Sequence, residues 1–330
     1  MNVWTGLRPL ASSSARRVYN TCRPVFRPAE AYLGRPARVL QRYRLYRRLP
    51  SAESGLASFV ERWGAGDATD DPVLVCSAGW RSGSTLLQRL VTSSNQVLIW
   101  GEPYSGCSYV QRLSKSFQPF ALGWPRDSFF LGAGRQAEEL AQNWIANLYP
   151  EPAQLLSAHR AFLRELFAKP AKQRGFPRWG LKETHLDAED VGYLATLFPA
   201  STVLLLVRNP VDAWASYCRI GEIWFASYPK TPVVSAADFA RHWEALASGM
   251  HAYAAKRPRC LLVRFEDLVK GGGILDEIGA LSGLKLDPSV LSVRVDGTAD
   301  PGGYRQVTTA ERRVIARIAG PTAVKFGYRL

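Results

Sequence analysis

The 330-residue chain is 47% hydrophobic and carries a formal charge of +14, which is enough apolar content for a buried core and excludes a disordered chain. Ten of those charges fall in residues 1–50, where eleven Arg meet one acid, Glu30; the rest is close to neutral, so basicity characterises the leader and not the body. No run of eighteen apolar residues is present, which excludes a spanning helix by hydropathy, and residues 1–30 lack the apolar core of a secretory signal.

In chain order, residues 1–52 read as a basic, Arg-rich extension. Within it Arg35–Leu49 fits a basic amphipathic helix suited to an anionic membrane surface, and the composition also suits a transit peptide, a nucleic-acid arm or a solvated leader. Residues 53–70 read as a linker, marked by Gly64-Ala65-Gly66-Asp67, and residues 71–330 as one catalytic-sized domain. That domain opens with Val73-Leu74-Val75-Cys76, a run suited to a buried strand. A turn of small residues follows, Ser77 to Thr85, and then a helical pattern through Leu86, Leu87, Leu90 and Val91. Strand, Gly/Ser turn and helix start aim backbone N–H groups and a positive dipole end at an anion. Gly79 and Gly83 permit close approach, Ser82, Ser84 and Thr85 add hydroxyls, and Arg81 adds a forked cation.

Val97–Trp100 predicts a second strand leading into Gly101-Glu102-Pro103-Tyr104. Residues 105–177 read as a helical and irregular insertion on the acceptor side, with helical patterns near Ala137–Leu148 and Ser157–Lys169. Trp179–Leu181 predicts a strand ending in Lys182-Glu183-Thr184-His185, followed by a helix over Asp187–Phe198. Ser201–Val207 is the most strand-like run, fit for the centre of a parallel sheet, and it delivers Arg208-Asn209-Pro210 at its C-terminal end, where open α/β sheets bind ligands. Asn209 fits an N-cap and Pro210 the first helical position, which places Ser216 two turns in. Residues 220–258 form a second expected insertion with Trp224, Phe225 and Tyr228, then a helix near Ala236–Ala255. Cys260–Phe265 predicts the last strand. The five cysteines (22, 76, 107, 218, 260) are odd in number and lack metal spacing, which suits a reducing, cytoplasmic setting with peripheral membrane contact through the leader.

Arg81-Ser82-Gly83-Ser84-Thr85-Leu86-Leu87 after a buried strand resembles the 5′-phosphosulfate loop of sulfotransferases that use 3′-phosphoadenosine 5′-phosphosulfate (PAPS). An Arg in place of Lys at Arg81 resembles what the bacterial and Golgi-type carbohydrate and tyrosine branches usually carry. Arg208 and Ser216, eight residues apart, are similar to the family's 3′-phosphate motif. Arg264-Phe265-Glu266-Asp267-Leu268 resembles its architectural Arg-Tyr-Glu-Asp-Leu signature, and Arg305 stands where a basic loop closes over that phosphate. The resemblance implies a three-layer α/β P-loop-containing fold with a central parallel sheet and helical insertions. It also implies PAPS as co-substrate held by Arg81, Ser82, Gly83, Ser84, Thr85, Leu86, Arg208, Ser216 and Arg305, with no metal, and an acceptor hydroxyl on a carbohydrate or glycolipid first, with tyrosine and small molecules open. Three residues compete for the base. Glu102 resembles the carbohydrate enzymes' Glu-Pro segment. His185 resembles the His of Lys-Thr-His-Leu, although Glu183 interrupts that pattern after Lys182, and Glu183 itself is the third. Lys182 is expected to contact the sulfonate or phosphate. A kinase or NTPase is the rival enzyme. Ser84 stands where its loop Lys belongs, and no carboxylate ends the Val203–Val207 strand to hold Mg²⁺. A membrane-surface or nucleic-acid binder working through the leader is the non-enzyme rival.

Overall fold

The continuous apolar runs become the strands of one parallel sheet in the computed structural model, which describes residues 49–66, 69–130, 140–142, 146–218, 232–293 and 306–330. The strands are β1 (Val73–Ser77), β2 (Val97–Gly101), β3 (Arg178–Glu183), β4 (Thr202–Val207) and β5 (Cys260–Arg264), in spatial order β2-β3-β1-β4-β5. β1 and β4 are buried along their whole length, as strands covered on both faces must be. Alternation sends Leu74, Cys76, Val203 and Leu205 to one face and Val73, Val75, Leu204 and Leu206 to the other. β3 approaches β1 so closely at Gly180 that a Cβ there would lie 2.1 Å from the Val73 carbonyl oxygen.

The helices of the described residues are α1 (Ala52–Trp63), α2 (Ser84–Thr92), α3 (Tyr109–Lys115), α4 (Pro152–Leu163), α5 (Lys169–Gln173), α6 (Ala188–Leu197), α7 (Pro210–Tyr217), α8 (Ala236–Ala254), α9 (Phe265–Lys270), α10 (Gly273–Ser282) and α11 (Thr309–Ala323). Leu87 and Leu90 of α2 pack with Leu275 and Ile278 of α10 on one face. Phe59 of α1, Leu156 of α4, Leu194 of α6, Trp243 of α8 and Ile315 of α11 share the core of the other. The sheet thus lies between two helical layers, the three-layer α/β arrangement read from the sequence.

Two boundaries differ from the sequence reading. Residues 53–63, read as linker, are helical: Ser51 caps α1 by accepting from the Ser54 amide, and Gly64 ends it. Phe59 is fully buried among Trp63, Phe117 and Phe120, contacts far along the chain that local composition does not reveal. Likewise the second half of the expected 220–258 insertion belongs to the helical layer, because α8 buries Phe239, Trp243 and Met250. The first insertion does hold α3, α4 and α5, with a π-turn over Arg164–Ala168 joining the last two. Residues 1–48, half of the 137–148 pattern (137–139 and 143–145) and Trp224, Phe225 and Tyr228 lie outside the described residues.

Candidate active site

The turn after β1 is a cradle by its own geometry. Gly79, Arg81 and Gly83 have φ of 85°, 62° and 89°, so positive angles alternate through the loop and turn successive amides toward one centre. Gly83 could be no other residue: its φ is left-handed, and a Cβ would lie 2.2 Å from the Phe265 ring. Ser77 and Ser82 donate their hydroxyls to the Gly79 carbonyl (3.0 and 2.6 Å), which fastens the loop from inside. The Ser82 hydroxyl is therefore spent on the loop. The Leu86 amide likewise donates to Gly83 (2.9 Å). Ser84 and Thr85 open α2, where amides have no intrahelical acceptor.

The turn after β4 builds the second cationic arm. Asn209 caps α7 by accepting from the Val211 amide (2.9 Å), with Pro210 at the first helical position, as the sequence predicts. The Asn209 amide donates to Glu266 (3.0 Å), whose other carboxylate oxygen accepts from the Tyr328 hydroxyl (2.6 Å). Trp243 of α8 donates to the Arg208 carbonyl (3.1 Å), and the Arg208 guanidinium lies 4.4 Å over the Phe265 ring. The two arms meet directly. Arg208 Nη1 donates to the Arg81 carbonyl (3.0 Å), and Arg81 Nε donates to Ser216 Oγ (3.0 Å). Three residues named from sequence, 135 positions apart at the extremes, thus share one point above the sheet. Arg305 lies outside the described residues.

The candidate bases sit at the ends of β2 and β3, and each is already engaged. The Lys182 ammonium pairs with Glu102, and the Glu102 amide donates to the Lys182 carbonyl (2.7 Å). Lys182, expected to reach an anion, is buried and directed at this carboxylate; its place within β3 and not beyond it is the reason. Glu183 is also buried. Burial, and then the Glu102 charge, pushes its carboxyl up to about 8, so it holds its proton at neutral pH. His185 Nε2 accepts from the Trp80 indole N–H at 3.1 Å. Burial, with His242 and Lys182 nearby, pushes its imidazole down to about 3.

Trp80 carries this pair into the anion loop. Its ring meets His185 edge-on with centroids 4.8 Å apart, and His242 of α8 stacks on it at 5.1 Å with planes 29° apart. Burial pushes the His242 imidazole down to about 4. Both imidazoles line a cleft of about 880 Å³ with Asp187, Asp190, Arg112, Lys115 and Arg241. Burial, and then Asp187, pushes Asp190 up to about 7. Sequence reading did not single out Trp80, His242, Trp243 or Phe265 for the site. Trp80 stood within the quoted loop and Phe265 within the Arg-Phe-Glu-Asp-Leu signature, read as architectural; His242 and Trp243 gave no local signal, because each contributes through a contact between distant segments.

A model of the "Sulfotransferase family" matches residues 72–272. No curated protein matches the chain by sequence. Among solved structures the chain is similar to a sulfotransferase from Alicyclobacillus acidocaldarius (13% identity, 80% of this chain and 98% of that one, TM-score 0.43). It is similar also to the sulfotransferase domain from the curacin biosynthetic pathway (14%, 80% and 100%, 0.44) and to mouse sulfotransferase SULT7A1 complexed with PAP (13%, 84% and 91%, 0.41).

Proposed function

The chain belongs to the sulfotransferase family, and from that premise we propose that it transfers a sulfuryl group from PAPS to an acceptor hydroxyl on a carbohydrate or glycolipid. The observation that carries the donor reading is the convergence of Arg81, Arg208 and Ser216 above the β1 and β4 ends. A forked cation and a hydroxyl at one point suit a 3′-phosphate dianion, and the amides at the start of α2 suit the 5′-phosphosulfate. On donor binding, Arg81 leaves Ser216 for the sulfate-bearing end and neutralises charge on the bridging oxygen as it departs. Thr85, exposed at the first turn of α2, offers its hydroxyl to the same group. Lys182 acts at one remove, by fixing the Glu102 carboxylate.

Acceptor chemistry is read from the cleft. Asp187, Asp190, Arg112, Lys115 and Arg241 all line it, a set of donors and acceptors that suits a polyhydroxylated molecule better than a bare aromatic one. Among the described residues no helix is long and apolar enough to cross a membrane. Residues 1–50, with their eleven Arg, would hold a cytoplasmic enzyme against an anionic lipid surface.

The donor reading is tested by calorimetric titration of the full chain with 3′-phosphoadenosine 5′-phosphate (PAP), with ADP and Mg·ATP as controls. Binding that requires the 3′-phosphate and weakens about 100-fold in Arg208→Ala is expected, the loss of a charge-assisted anion contact. Preference for Mg·ATP would overturn it.

A further inference from the structure

The three bases suggested by sequence share a difficulty: each has its basic atom occupied. Glu102 is paired with Lys182, His185 Nε2 accepts from Trp80, and Glu183 retains its proton at neutral pH. His242 differs. Its Nε2 is buried and has no hydrogen-bond partner among the described residues, an arrangement that native proteins rarely leave without a use. The ring lies against the anion loop itself, 3.4 Å from the position of a Gly79 Cβ, and lines the cleft beside His185, with ring centroids 6.5 Å apart. Trp243, the next residue, holds the Arg208 carbonyl, so one turn of α8 is fixed to both arms of the donor site.

We propose that His242 is the base that takes the proton from the acceptor hydroxyl, with Trp80 and His185 as the residues that position it. The inference rests on the PAPS-dependent reading above. In the Nδ1–H tautomer, Nε2 carries a lone pair. The acceptor O–H bond breaks and its proton passes to that lone pair while the acceptor oxygen forms a bond to sulfur. The bond from sulfur to the bridging oxygen breaks, and its electron pair leaves on the 5′-phosphate of PAP. The proton then passes to solvent. His242 shares its surroundings with His185, with Asp187 and Asp190 from the start of α6, with Asp238 and Arg241 of its own helix, and with Lys115 of α3. Burial keeps the imidazole unprotonated at neutral pH, and an anionic donor in the adjacent loop favours its cationic form, so donor binding raises its basicity when it is needed.

Two measurements test this. The first needs no acceptor: the Cε1–H resonance of His242, assigned by its loss in His242→Asn, is titrated by NMR with and without PAP. An upward shift of its pKa on PAP binding, larger than that of His185, is expected; an unmoved His242 beside a shifted His185 would overturn the proposal. The second follows PAP release from PAPS with p-nitrophenyl glycosides as acceptors, and with water where none is used. His242→Asn and His242→Gln should keep PAP affinity within about twofold and lose about 100-fold or more in turnover. His185→Asn should lose less than tenfold. Near-normal turnover in both His242 variants, with collapse in Glu102→Gln or His185→Asn, would assign the base elsewhere. Failure of the wild-type chain to bind PAP is a separate outcome, which overturns the donor reading and this proposal with it.

Discussion

The anion loop and the strand ends beside it are built from different kinds of sequence. Between Ser77 and Thr85 the geometry is local: alternating positive φ angles, two serine hydroxyls folded onto the Gly79 carbonyl, and the first amides of α2. At the ends of β2 and β3 nothing is local. Lys182 finds Glu102 across 80 positions, Trp80 finds His185 across 105, and His242 arrives from a helix beyond both. A short motif can specify the first kind of site, because its backbone forms the binding surface. The second kind is specified by which side chains the sheet order brings together.

The loop is the more sensitive of the two regions to a single substitution. Gly83→Ala forces a left-handed backbone on a Cβ that meets the Phe265 ring, so PAP binding should fall by more than about 100-fold in titration calorimetry, while circular dichroism still reports the sheet. At the strand ends the largest effect is on stability. Glu102→Gln leaves the buried Lys182 ammonium without its counter-charge and should cost about 3 kcal/mol in denaturant unfolding. The double variant Glu102→Gln with Lys182→Met should recover most of that loss, since no unpaired charge remains.

At the strand ends Glu183 makes stability depend on pH. Burial pushes its carboxyl from an ordinary 4.5 up to about 8, so the folded state holds a proton that the unfolded state has released between those values. The contribution of this carboxyl to stability therefore falls as pH rises from about 4.5 to 8, while the two buried imidazoles act in the opposite direction below about 6.5. Glu183→Gln should flatten that fall in melting temperature measured from pH 5 to 8.5, and an unchanged slope would mean that the carboxyl is ionised. The smallest effect belongs to Trp80→Phe, which keeps a ring against His242 but removes the N–H that His185 accepts. It should cost about 1 kcal/mol, leave PAP affinity within a few-fold, and change the imidazole NMR signal of His185.

Much was legible in the chain itself. The strand runs Val73–Cys76 and Ser201–Val207, the loop residues Arg81 to Thr85, the Asn209-Pro210 cap and the spacing of Arg208 from Ser216 all carry their physics within a few residues: hydrophobic continuity, glycine freedom and capping geometry. The helix over Ala52–Trp63 was not read as one, because Phe59 reveals its purpose only where Phe117 and Phe120 close over it. The same held for Lys182, whose partner is chosen by the pairing of Gly101 with Lys182 in adjacent strands.

By itself the sequence determined the sheet-forming segments, the anion loop and the family, since each is written in the local order of residue types. The tertiary structure alone decided which titratable groups are neutral, which are paired, and that His242 faces the loop beside His185. Burial and distance set those properties, and both arise only when α8 and the ends of β2 and β3 are packed together.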